Sequence, residues 1–141
     1  MERSCTLEIK NELSEIHLVN VRVEQIAEEW KIPPKTTGNI TLVIEELITN
    51  IINYGYDGGE HVISIAFTLD DDDLSIRLVD DGKSFNPLEA PTPDINASAE
   101  ERRIGGLGIY FAKKLMDSLS YERLENKNVL TMTKNISDSE S

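Results

Sequence analysis

The 141-residue sequence predicts an α+β fold, a two-layer α/β sandwich in which a mixed, mainly antiparallel sheet carries three main helices on one face. Three observations predict it. From Ile40 to Tyr56 the apolar residues Ile40, Val43, Ile44, Leu47, Ile48, Ile51 and Ile52 keep the spacing of an amphipathic helix with a wide buried stripe. From His61 to Leu69, Ile63, Ile65, Phe67 and Leu69 recur at every second position, which is strand period. Leu74, Ile76 and Leu78 resume that alternation after the acidic run Asp70 to Asp73, so the two runs read as a hairpin. The inward faces of both strands should pack on the helix stripe.

Composition narrows the class. The length suits one domain with its own core; a single unit over 1–136 with a flexible tail at 137–141 is expected. Charged residues are 28% and hydrophobic residues 39%, an ordinary globular balance. The net charge of -12 gives no basic footprint for a nucleic acid or an anionic membrane. No apolar run approaches the ~20 residues of a membrane span. One cysteine, Cys5, excludes a disulfide framework and points to a reducing, cytoplasmic setting.

The elements follow in order. Cys5 to Ile9 alternates and reads as a short strand. Asn11 stands where it can cap the next helix, with Glu12 in the first turn. Leu13, Ile16, Val19, Val23, Ile26, Ala27 and Trp30 then keep helical period. Pro33-Pro34 ends that helix and opens the central one. Gly38 inside the central helix costs about 1 kcal/mol relative to alanine, so close packing is expected there. Gly55, Gly58 and Gly59 suit a left-handed helix end. Four acids at Asp70 to Asp73 read as a solvated turn, because they lack the oxygen spacing and glycine of a calcium loop. Lys83 to Arg103 has no periodicity and three prolines, and a loop that long suggests a lid or binding loop. A helix with Leu107, Phe111, Leu115 and Leu119 inward comes next. Tyr121 to Leu124 and Val129 to Thr133 form a last hairpin around Glu125 to Asn128.

Three places carry chemistry. Glu46 and Asn50 are four apart on the central helix, so a carboxylate and a carboxamide are neighbours beside the buried stripe. Asn39 and Asn53 share that flank. Asp80 continues the inward face of Leu74, Ile76 and Leu78, and a carboxylate on an apolar face needs a partner. It either caps the Asp81-Gly82 turn or anchors a mostly apolar pocket. Gly105-Gly106-Leu107-Gly108 opens a helix after Arg102 and Arg103, and glycines there let N–H groups approach an anion. No P-loop exists.

These three signals, in this order, resemble the ATP-binding (Bergerat) fold of the GHKL superfamily, which gyrase-type ATPases, histidine kinases and MutL share. EELITNIINYGY resembles its helix motif, DDGKSFNP its first glycine box and RRIGGLGIYFAKKLMD its second. Within the superfamily the resemblance is greatest to the bacterial anti-sigma-factor serine/threonine-protein kinases, and it covers nearly the whole chain. It implies a histidine-kinase-like ATPase fold with ATP and Mg2+ as cofactors. Asn50 would be the metal ligand and Glu46 the catalytic base. Asp80 would accept a hydrogen bond from the adenine amino group, and Gly82 would let the ring lie close. Asn53, Phe85, Arg103, Gly105, Gly106, Leu107, Gly108 and Ile109 would complete the nucleotide site, with Arg102 or Arg103 beside the γ-phosphate. Two departures stand out: Tyr54 takes a position where several relatives have histidine, and the first box lacks a second glycine.

The expected function is phosphoryl transfer from ATP to a serine of a STAS-domain anti-sigma-factor antagonist, with sequestration of a sigma factor or similar regulator. The relatives are commonly homodimers. The alternatives are a non-catalytic, ATP-gated binding module and, last, the catalytic domain of a histidine kinase, which would need a phosphoacceptor histidine on a dimerisation helix pair.

Overall fold

Strand β1 (Glu2–Lys10) pairs along its whole length with β2 (Val62–Asp70), and β2 forms a hairpin with β3 (Asp73–Asp80). On the far side of β3 lies β5 (Lys127–Asn135), which forms the second hairpin with β4 (Ser118–Leu124). The five-stranded order is β1-β2-β3-β5-β4, and each of these four pairings is antiparallel, where the sequence reading expected a mixed, mainly antiparallel sheet. The computed structural model describes residues 2–89 and 107–137.

Register explains the core. Leu7, Ile65, Leu78, Leu130 and Tyr121 form one row across all five strands. Cys5, Phe67, Ile76, Met132 and Leu119 form the next. Both rows face the helices, and Phe67, Ile76 and Met132 are fully buried. Burying each such side chain stabilises the fold by about 1.5–3 kcal/mol. The opposite face carries small or polar residues such as Ser64, Thr68, Ser75 and Thr131.

Helix α1 (Ile16–Trp30) buries Val19, Val23, Ile26 and Trp30 and stops at Lys31, which turns left-handed at φ 59°. Helix α2 (Pro34–Tyr54) starts with Pro34 in its first turn, where a missing N–H costs nothing, and buries Ile40, Val43, Ile44, Leu47 and Ile48. Helix α3 (Leu107–Leu115) adds Ile109 and Ala112 to the same core.

The structure corrects several local expectations. Asn11 caps no helix: its side chain accepts from His61 N (2.9 Å) and donates to Gly59 O (3.2 Å), tying the end of β1 to the segment after α2. A 3₁₀ turn (Leu13–Glu15) leads into α1 instead. Gly38 has open space around it, so packing does not explain it. Gly55 closes α2 at φ -83°, and the left-handed glycines are Gly58 and Gly59. Leu119 lies in β4, because α3 ends at Leu115. The last hairpin turns on Glu125 and Asn126 alone, both with positive φ, the geometry whose twist matches the flanking strands. Asn128 is therefore a strand residue. Most of the expected lid, with Arg102, Arg103, Gly105 and Gly106, lies outside the described residues, as do tail residues 138–141.

Candidate functional site

A cavity of about 340 Å³ opens where the C-terminal half of α2, the end of β3 and the start of α3 converge. Its walls are mainly apolar: Leu47 and Ile51 from α2, Leu78 from β3, Ile109 from α3, Leu130 from β5 and Tyr121 from β4. Asn50, Asp80 and Asn128 supply polar groups, and Lys83, Ser84, Phe85 and Pro87 close one side. Size and lining suit a small organic ligand fixed by few polar contacts.

Asp80 is the buried anchor, 6% exposed. Its Oδ1 accepts from Gly82 N (2.9 Å) and from Asn128 Nδ2 (3.0 Å). Its Oδ2 receives no hydrogen bond among the described residues. Burial raises the Asp80 pKa; the donors Asn128 and Gly82 pull it down, Asp81 adds to the rise, and Arg123 offsets part of it. Both readings of Asp80 hold together: it caps its own turn with Oδ1 and lines the mostly apolar cavity.

Two glycines make that turn fit. A side chain at Gly82 would meet Gly55 O at 2.7 Å and Asp80 Oδ1 at 2.9 Å. Lys83 N donates to Gly55 O (2.8 Å), so the turn lies directly on the end of α2. Arg123 Nη1 donates to Gly82 O (2.9 Å) from the other side. Behind the turn, Tyr56 stacks on His61 with ring centroids 4.2 Å apart, and His61 Nδ1 lies 3.1 Å from Asp81 Oδ1. Burial, then the charges of Asp80 and Asp81, push the Tyr56 phenol upward, and its buried hydroxyl has no hydrogen-bond partner among the described residues.

On α2, Asn50 reaches the cavity wall. Glu46, one turn earlier, is half-buried and lies outside the lining. Asn53 is exposed and also outside it. Phe85 lines the mouth while 53% exposed, and Ile109 lines the wall while buried. Gly108 has a packing role: a side chain there would meet Leu47 N at 3.1 Å and the Glu46 carbonyl carbon at 3.2 Å. Its absence lets the start of α3 press against α2 beside Glu46. Among the described residues no group of three or more His, Cys, Asp or Glu could hold a metal ion alone. A hard ion such as Mg2+ commonly completes its shell with substrate phosphates and waters, and the Asn50 amide oxygen is compatible with that.

Comparison with known proteins adds the family. Residues 9–134 match the histidine kinase-like ATPase domain. The chain belongs to that family. Serine/threonine-protein kinase BtrW of Bordetella bronchiseptica is 30% identical over 96 residues, 67% of each chain. Serine-protein kinase RsbW of Listeria monocytogenes is 27% identical over 143 residues, covering 98% of this chain and 90% of that one. The crystal structure of the RsbU and RsbW domains of Rv1364c from Mycobacterium tuberculosis shares the fold, with a TM-score of 0.67 at 14% identity over 95% of this chain. This chain covers 32% of that longer one.

Within this histidine kinase-like ATPase domain, sequence reading missed Asn128 and Tyr121. Asn128 is 8% exposed and directly opposite Asp80 in the β3–β5 register. Tyr121 OH donates to Asn128 Oδ1. A signal existed, since Asn128 is in phase with the inward residues Leu130 and Met132. Its assignment to the turn hid that phase.

Proposed function

We propose that the protein is a serine kinase of the anti-sigma-factor type. It binds Mg-ATP in this cavity, transfers the γ-phosphate to a serine of a STAS-domain antagonist and sequesters a sigma factor or similar regulator. The observation that carries the nucleotide reading is the divided Asp80 carboxylate, with Oδ1 saturated from within the fold and Oδ2 left for a ligand donor such as the adenine amino group. The names of BtrW and RsbW support the serine kinase reading. A cytoplasmic, homodimeric protein belongs to the same proposal.

In this reading the sheet end binds and α2 does the chemistry. Asn50 holds Mg2+, which neutralises phosphate charge. Glu46 takes the proton of the acceptor serine hydroxyl as its oxygen forms the new bond to phosphorus, and ADP leaves. Gly106 and Gly108 offer backbone N–H groups to the phosphates with Gly105, Leu107 and Ile109 beside them, Arg103 adds charge, and Asn53 and Phe85 flank the site. A second reading is an ATP-gated binding module without transfer, and Glu46 lying outside the cavity lining favours it.

The deciding experiment incubates the protein with labelled Mg-ATP and each STAS protein of the same genome. Label on a serine of one STAS protein is expected. Tight nucleotide binding with no transfer to any of them would move the assignment to the binding module.

A further inference from the structure

We propose that Asn128 is the positioning residue of the base pocket: its carboxamide commits one oxygen of Asp80, frees the other for the ligand, and seats the segment 83–85 on the same anchor. This rests on the nucleotide reading above. A carboxamide has two N–H donors and two acceptor lone pairs. All four are used here. Nδ2 donates to Asp80 Oδ1 (3.0 Å) and to Lys83 O (2.8 Å). Oδ1 accepts from Tyr121 OH (2.5 Å) and from Phe85 N (3.3 Å). The partners fix the orientation. With the amide flipped, an oxygen would face the Asp80 carboxylate and the Lys83 carbonyl, and an NH2 would face the Phe85 N–H.

Saturation also defines the role. With no unused group, Asn128 does not read the ligand; it acts through Asp80. Gly82 N shares Oδ1 with it, so the ligand meets only Oδ2. The same amide holds Lys83 and Phe85, which line the cavity beside Asp80. One side chain thus connects base recognition to the start of the loop that follows.

The proposal predicts a pH signature. A ligand donor needs an ionised, accepting Asp80. Asn128 is one of two donors opposing the upward push of burial on this carboxyl, with Asp81 adding to the push and Arg123 opposing it. The Tyr56 phenol, pushed upward, stays protonated throughout, and Lys83, Tyr54 and Tyr121 also line the cavity with Asp80. Removing Asn128 should raise the pH at which nucleotide binding fails.

The test titrates the full chain with a non-hydrolysable ATP analogue and Mg2+ over a pH series. In Asn128→Ala the acid limb of affinity should move up by about one pH unit, with affinity recovering on the alkaline side. Asn128→Asp, which sets a second carboxylate against Asp80, should move it further. An unmoved limb, or affinity lowered evenly at every pH alongside a lower melting temperature, would show a role confined to the fold and overturn the proposal. Should both variants fail to fold, the wild-type protein decides. Its Asn128 side-chain amide protons should exchange slowly with solvent before nucleotide is added, and fast exchange there refutes the claim. Wild type that binds no nucleotide ends the nucleotide reading instead, while the amide exchange still judges whether Asn128 is locked.

Discussion

Asp80 and Asn128 at the end of the sheet are 6% and 8% exposed and joined in a hydrogen-bond network that reaches Gly82, Lys83, Phe85 and Tyr121. Glu46 and Asn50 on α2 are half-buried, and their side chains make no hydrogen bond among the described residues. The sheet end of the site is finished before any ligand arrives. The helix end carries two side chains that this network does not reach. Recognition that relies on rigid polar groups gains from such preorganisation, because nothing has to be ordered on binding. Phosphoryl transfer instead depends on groups that come together with the triphosphate and metal. The contrast predicts that substitutions at the two ends separate binding from chemistry.

The largest effect short of the base itself is expected from Asn50→Ala. With Asn50 in its proposed role of metal ligand, its loss should lower kcat/KM roughly 100-fold or more and weaken Mg-ATP binding, while leaving metal-free adenosine binding intact. Equal losses for adenosine and Mg-ATP would place Asn50 with the base pocket and blur the contrast.

Asp80→Asn should act oppositely on binding and stability. It exchanges an acceptor oxygen for a donor or loses the charge, so affinity for ATP and adenosine alike should fall roughly 10- to 100-fold by calorimetry. The folded-state pKa of Asp80 lies above its ordinary 3.8, so folded protein binds this proton more tightly than the unfolded chain. That contribution to stability is present below 3.8 and lost as pH rises through the raised value. At neutral pH the buried ionised carboxylate is a cost. Asp80→Asn should therefore raise the apo melting temperature at neutral pH, and the gain should vanish in acid.

Gly82→Ala should be smaller but local. The added methyl meets Gly55 O and Asp80 Oδ1 inside 3 Å, so the turn must move, at a cost of about 1–3 kcal/mol in thermal or urea unfolding, with weaker base binding. Tyr56→Phe is the smallest. Among the described residues the phenol oxygen has no partner, so its removal should change stability by about 0.5 kcal/mol or less, or raise it.

Much of this was legible in the sequence. The helix stripe and the period of β2 and β3 were clear because long amphipathic runs repeat one signal many times. That same phase exposed Asp80. Elements fixed by tertiary contact were not legible. Asn11 bonds across 50 residues to His61, and Gly108 answers to the backbone of α2. Asn128 depends on a two-residue turn at Glu125 and Asn126, neither a glycine, so the turn had no strong mark and the strand was started two positions late.

The most direct measurement is single-turnover phosphate transfer by Glu46→Gln at saturating Mg-ATP, with nucleotide affinity measured on the same preparation. Glutamine keeps the shape and helix propensity of glutamate and loses the proton acceptor. Transfer should fall by about 10²–10⁴-fold while Kd stays within about twofold of wild type. Unchanged transfer, or affinity that falls in step with rate, would contradict the division of labour between sheet and helix.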